Sequence, residues 1–96
     1  MLVIKVPSRE CSFDVEHEFI QQISSLDEDV CFDMQDVYEI YARVLAFIVH
    51  YGKIKNKIMF KNVHEDFEHE YGKVISVALG VNFKTMIEGG MNSEST

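Results

Sequence analysis

Asp33-Met34-Gln35-Asp36-Val37-Tyr38-Glu39-Ile40-Tyr41-Ala42-Arg43-Val44-Leu45-Ala46-Phe47-Ile48-Val49-His50-Tyr51-Gly52 is the stretch whose reading decides the fold. Asp33 has the chemistry of a helix N-cap, and Asp36 falls in the first turn, where the helix dipole favours an acid. Phe32 is placed to staple onto Val37. Gly52 stands where a left-handed residue closes a helix, and lysines follow it. The spacing therefore predicts a helix over 34–51. From Val37 to Tyr51 the strongly polar residues are Glu39, Arg43 and His50. At 100° per residue they fall at about 0°, 40° and 20°, with Ala46 among them. One narrow polar seam on an apolar rod describes a helix buried nearly all round. A short chain has little material to cover such a rod, so a second copy is expected to help, with Tyr41, Leu45, Ile48 and Tyr51 at the dimer interface.

On the N-terminal side, Leu2, Ile4 and Val6 alternate with Val3 and Lys5, which reads as a strand. Pro7 to Glu10 has turn character, and Cys11, Phe13 and Val15 alternate again, so a hairpin of 2–6 with 11–15 is one expectation. The competing reading makes Asp14 an N-cap with Glu16 and Glu18 in the first turn. Phe19, Ile20, Ile23 and Leu26 then give an apolar stripe for a helix near 15–25. Asp27-Glu28-Asp29 reads as a solvated link.

On the C-terminal side, Ile54, Ile58, Met59 and Phe60 fit either helical turns or a short strand. Asn62 with Glu65 resembles a capping box, opening a helix over 63–79 with Val63, Phe67, Tyr71, Val74, Ile75 and Ala78 on one face. Gly72 inside it costs near 1 kcal/mol relative to Ala. Close approach of another helix, over Ala42 or Ala46, would offset that cost. Gly80 is placed to end the helix, and Phe83, Met86 and Ile87 suit a last short turn. Gly89 to Thr96 is small and polar, a flexible tail. The expected fold is mostly α, with α+β as the variant: a three-helix core plus a short N-terminal β-hairpin or strand. Residues 1–88 would form a single globular domain.

The chain has 96 residues, 47% of them apolar and 26% charged, with a net charge of -7. That length is one domain, and the composition is that of a folded chain. The net charge disfavours direct binding to nucleic acid and to anionic lipid. Its distribution is more telling than its size. From Glu10 to Glu39 there are ten acids and no Lys or Arg. A second acidic run is Glu65, Asp66, Glu68 and Glu70, and Lys53, Lys55, Lys57 and Lys61 lie between the two. Charges sorted into blocks give surfaces of definite sign. The expected partner-binding residues are Glu16, Glu18, Asp27, Glu28, Asp29, Asp33 and Asp36, facing a basic protein surface. No apolar run is long enough to span a bilayer. No basic segment leads into a long apolar one at the start of the chain, as a secretory signal would. Two cysteines, Cys11 and Cys31, are too few for a disulfide scaffold. The expectation is a cytoplasmic protein with reduced thiols.

Several chemistries fail on spacing. His64 and His69 are five apart, about 140° around a helix, so they cannot share one ion in the manner of His residues at i and i+4. His64 with Glu68, or Glu65 with His69, lacks a third ligand. Asp27, Asp29 and Asp33 begin like a calcium loop, but Phe32 and Tyr38 occupy the positions that need Gly and Glu. Neither cysteine has an orienting residue that would make a nucleophile pair with His. No Gly-rich phosphate loop occurs. The lysines with Phe60 make only a weak nucleic-acid patch. Tyr38, Tyr41, Phe47 and Tyr51 are spaced for core or dimer packing. No catalytic residue, cofactor or metal is expected. The sequence favours a small acidic interaction protein that binds and inhibits a basic, nucleic-acid-handling protein, with imitation of DNA phosphates as one route. The alternative is a helical adaptor, immunity or antitoxin-type regulator docking through an apolar surface.

Overall fold

A computed structural model describes residues 1–54 and 57–88. The elements run β1 (Leu2–Lys5), α1 (Phe13–Ser25), β2 (Val30–Asp33), α2 (Ala42–Ile54), β3 (Ile58–Lys61) and α3 (Glu65–Leu79), with a 3-10 turn at Phe83–Met86. Three helices thus accompany a short three-stranded sheet. The sheet is parallel and its strands lie in chain order, with Leu2, Val30 and Ile58 in one register row and Ile4, Phe32 and Phe60 in another. After the turn, Ile87 bridges to Phe60, also in parallel.

Two crossovers that step the same way across a parallel sheet, each with the usual right-handedness, put their helices on one face. The packing agrees: α1 lies against α2, and α2 against α3. Strand β1 shows which face is covered. Ile4 and Val6 are buried, whereas Val3 is 50% exposed and Lys5 is exposed. Beneath the helices Ile4, Val30, Phe32, Ile58 and Phe60 meet Phe19, Ile23, Val44, Ile48, Phe67 and Ile75 in one core. The opposite face carries Val3, Cys31 and Met59 along one row and Lys5, Asp33 and Lys61 along the next.

The N-terminal strand therefore forms, but its partner is not 11–15. It pairs in parallel with Val30–Asp33, and Phe13–Ser25 is helical. Ser12, not Asp14, caps α1, its hydroxyl accepting from Val15 N–H at 3.3 Å. The largest departure from the sequence reading is in the stretch quoted first. Asp33 ends β2, 34–41 is irregular, and the helix begins at Ala42. Its backbone is committed to neighbours on both sides. Met34 N–H donates to Lys61 O at 2.9 Å, and Arg9 N–H donates to Glu39 O at 3.0 Å. Met34, Val37 and Ile40 still reach the core, at 0%, 0% and 4% exposure, from a loop rather than a helix.

Gly52 does not close α2, which continues to Ile54. It is needed for close approach: a Cβ there would stand 2.7 Å from Ile58 Cδ1. Gly72 likewise admits a neighbour, but that neighbour is Phe83 of the 3-10 turn, 3.3 Å from a would-be Cβ, rather than Ala42 or Ala46. Gly80 ends α3 with φ +74°, donating to Ser76 O at 2.8 Å. Asn62 does not cap α3. It takes a left-handed turn (φ 56°), and His64 holds the N-cap position. The expected tail, 89–96, and Lys55 lie outside the described residues. No helix among those residues is long and apolar enough to cross a membrane.

Candidate functional site at the carboxyl edge of the sheet

In open α/β sheets ligands bind outside the carboxyl ends of the strands where the strand order reverses; the order β1-β2-β3 has no such reversal, so this edge is a candidate because of its loops and clefts alone. Here that edge is built by Val6 to Glu10 after β1, Met34 to Glu39 after β2, and Asn62 to His64 after β3. Each loop is tied to the next. Lys5 Nζ lies 2.7 Å from Asp36 Oδ2, and Arg9 Nη1 lies 3.1 Å from Glu39 Oε1. Asp33 Oδ1 accepts from Gln35 N–H at 3.1 Å and from Asn62 Nδ2 at 2.9 Å. His64 stacks on Tyr38 with ring centroids 4.1 Å apart, and its Nε2 meets Gln35 O.

Two adjoining clefts open on this edge. One, of about 370 Å³, has Val6, Val15 and Phe19 on its apolar side and Lys5, Glu18 and Asp36 on its charged side. The other, of about 460 Å³, is lined by Ser8, Arg9, Glu10, Asp36, Tyr38 and Glu39. Four carboxylates thus stand against two bases, and both bases already face an acid. Asp36, by hydrogen bond and charge, raises the pKa of Lys5 above its ordinary value. Asp33 is held below the usual carboxylate range, chiefly by the Asn62 hydrogen bond. These ion pairs are exposed and contribute little to stability. Their effect is to leave the net charge of the two clefts to Glu10 and Glu18.

The acidic residues expected to bind a partner do not form one surface. Glu18, Asp33 and Asp36 line or border the carboxyl edge. Asp27, Glu28 and Asp29 are exposed at the opposite, amino edge. Asp29 there accepts from Lys57 N–H at 3.1 Å, and Glu28 meets Tyr51. Strand β2, four residues and so roughly 13 Å long, separates the two groups. Glu16 is only 9% exposed and faces inward from α1. Of the expected dimer residues, Tyr41 and Leu45 are half-buried, whereas Ile48 and Tyr51 are buried at 0% and 3% exposure. Helix α2 is the middle helix of the layer, and its own chain covers Ile48 and Tyr51.

Glu10, Glu39, Ser8, Arg9 and Tyr38 belong to the edge but were not among the expected binding residues. Glu10 and Glu39 bound the base-free run, which was the one available signal. Ser8–Glu10 and Asp36–Glu39 come together only through the parallel pairing of β1 with β2.

Among the described residues no three His, Cys, Asp or Glu side chains gather as a metal set. Cys11 and Cys31 are unpaired, and burial, first of all, pushes both thiols above the ordinary range. Glu88, 3.9 Å from Cys31 Sγ, adds to that shift. Comparison with family models, curated proteins and solved structures finds no match for this chain.

Proposed function

We propose that this chain is a small, non-catalytic interaction protein that binds and inhibits a basic, nucleic-acid-handling protein, acting in the cytoplasm. The observation that carries the reading is the pair of clefts at the carboxyl edge, where Glu10, Glu18, Asp36 and Glu39 surround an apolar floor and both nearby bases are already engaged. A Lys- or Arg-bearing surface would be steered to this edge by charge and held by contact with Val15 and Tyr38, which are 47% and 55% exposed. The carboxylates would stand where phosphates otherwise bind.

Two variants test it. One changes Glu10, Glu18 and Glu39 to Gln and Asp36 to Asn; the other changes Asp27 and Asp29 to Asn and Glu28 to Gln. Partner capture is expected to fail for the first and persist for the second. It should also fail for the natural sequence at about 0.5 M salt, where screening falls to a few ångströms. Capture by the carboxyl-edge variant at high salt would defeat the reading. It would favour the adaptor or immunity-type alternative, which rests on a different observation: Val74, Val77 and Val81 stand exposed on and just beyond α3.

A further inference from the structure

Strand β1 is an end strand of the sheet. The other end strand, β3, is already met by its own chain: Ile87 bridges to Phe60, and Glu88 N–H donates to Phe60 O at 2.6 Å. Strand β1 has no such cover. Leu2 N–H donates to Asp29 O at 3.2 Å and Val6 N–H to Asp33 O at 3.0 Å, so Leu2, Ile4 and Val6 turn their backbone groups toward β2. Successive residues of a strand turn them to opposite sides. Val3 and Lys5 therefore present N–H and C=O along the free edge, and among the described residues these backbone groups have no partner. The usual protections of an edge are weak here. Pro7 follows the last paired residue, and the Lys5 side chain is drawn to Asp36 at 2.7 Å. Val3 is 50% exposed. The cleft of about 370 Å³ runs beside this strand, with Lys5 and Val6 on one wall and Val15, Glu18 and Phe19 of α1 on the other.

We propose that an extended segment of the partner adds to β1 as a further strand, with a Lys or Arg side chain turned into the cleft. Two features choose this occupant. A row of alternating donors and acceptors is satisfied as a whole by an extended backbone, which repeats both at the same interval. Alternate side chains of an added strand then face the helix layer. There Val15 and Phe19 offer apolar surface to a long stem, and the exposed Glu18 offers a carboxylate to its charged head. The other charged groups lining the cleft are Lys5 and Asp36, which are bonded to each other. The intervening side chains would lie on the open face beside Val3, where an apolar residue fits. A second copy suits the edge less well. Pairing β1 with its own copy about a two-fold axis turns the groove sides of two α1 helices toward each other, Glu18 toward Glu18. The inference rests on the basic-partner reading and adds the way in which that partner is held.

The probe is a synthetic peptide of alternating valine and arginine, titrated into the full chain and followed by amide NMR. The Val3 and Lys5 amides should shift downfield and gain protection from exchange. The same peptide N-methylated along its backbone keeps its charges and loses its donors, and it should bind at least about tenfold more weakly. Val3→Pro removes an edge N–H that the fold does not use, a place where a strand tolerates proline. It should leave the circular dichroism unchanged and weaken the unmethylated peptide by a similar factor. Glu18→Gln should also weaken that peptide, and a peptide with threonine in place of arginine should bind more weakly to the natural sequence. Equal binding of the methylated peptide, shifts confined to Arg9, Glu10 and Tyr38, or no shift at all would overturn strand addition and leave the carboxyl-edge reading standing. Equal binding of the threonine peptide would overturn the basic occupant and count against that reading too. Val3 and Lys5 amides that shift with protein concentration alone would make the occupant a second copy and overturn the proposal.

Discussion

Replacing Tyr51 by Phe removes one oxygen atom and tests whether α2 faces its own chain. Tyr51 is 3% exposed. Its hydroxyl accepts from Glu28 N–H at 2.9 Å and donates to Glu28 O. One side chain of α2 thus holds the link between α1 and β2 by both of its backbone groups. A hydrogen bond of this kind contributes about 0.5–1.5 kcal/mol net, so two give at most about 3 kcal/mol. Glu28 is exposed, and water can take up part of what is lost. The ring keeps its packing in the Phe variant. The expected loss is therefore about 1–2 kcal/mol. Urea unfolding followed by circular dichroism should show the midpoint falling by roughly 1 M, with the slope m unchanged. The shift should be the same at two protein concentrations a hundredfold apart. A tyrosine at a dimer contact would behave differently, with little change in the dilute monomer and a concentration-dependent effect. A change below about 0.3 kcal/mol at low concentration would refute the assignment of Tyr51 to the monomer core.

Gly52→Ala gains about 1 kcal/mol of helix propensity but forces a methyl against Ile58, itself 5% exposed, for which overpacking costs about 1–3 kcal/mol. The thermal midpoint should fall by several degrees, and a rise would contradict the contact. Asp33 has a depressed folded-state pKa, so its contribution is complete above the unfolded carboxylate value near pH 4 and is lost as pH falls through the lower, folded value. Asp33→Asn should flatten the acid limb of the stability curve below about pH 4; an unchanged limb would remove the Asn62 hydrogen bond from the account. Both thiols are raised, so little thiolate exists at neutral pH. Iodoacetamide should label the half-buried Cys11 slowly and the buried Cys31 more slowly still, with the difference vanishing in urea; equal native rates would place Cys31 at the surface.

What could be read from residues alone followed the strength of local signals. Gly80 and the Phe83–Met86 turn stood where expected, and α1 and α3 began within two residues of their expected starts. These segments carry helical stripes bounded by strong stop or start residues. Strand β2 was hidden because Val30, Cys31 and Phe32 are buried on both faces of a central parallel strand, so no alternation of polar and apolar residues marks it. It is also only four residues long and flanked by acids on both sides. The segment 34–41 misled for a different reason. Met34, Val37 and Ile40 repeat at a helical interval, and Asp33 and Asp36 resemble a capped first turn. The signal is genuine chemistry used otherwise: Asp33 does bond a nearby N–H, that of Gln35, but it also bonds Asn62, thirty residues ahead in the chain by one short of that count and next to it in the sheet. A cap and a cross-loop tie look the same until the pairing of β2 with β3 is known.

The same strand decides what the acidic run can mean. It is continuous along the chain from Glu10 to Glu39, yet β2 passes through it and delivers its parts to opposite edges. Asp27 to Asp29 emerge below, where the Asp29 carboxylate accepts from Lys57 N–H and the Glu28 backbone is held by the Tyr51 hydroxyl. Asp36 and Glu39 emerge above, and there the β1 loop brings Ser8 and Glu10 to them from almost thirty residues away. Charge density along a sequence is therefore not charge density on a surface. A partner drawn by electrostatic steering responds to the second. Because a Debye length of about 8 Å at physiological salt is shorter than the strand that divides the two groups, they act as separate fields. The carboxyl edge has clefts between its carboxylates, so it is an edge on which charge can be converted into shape-specific contact.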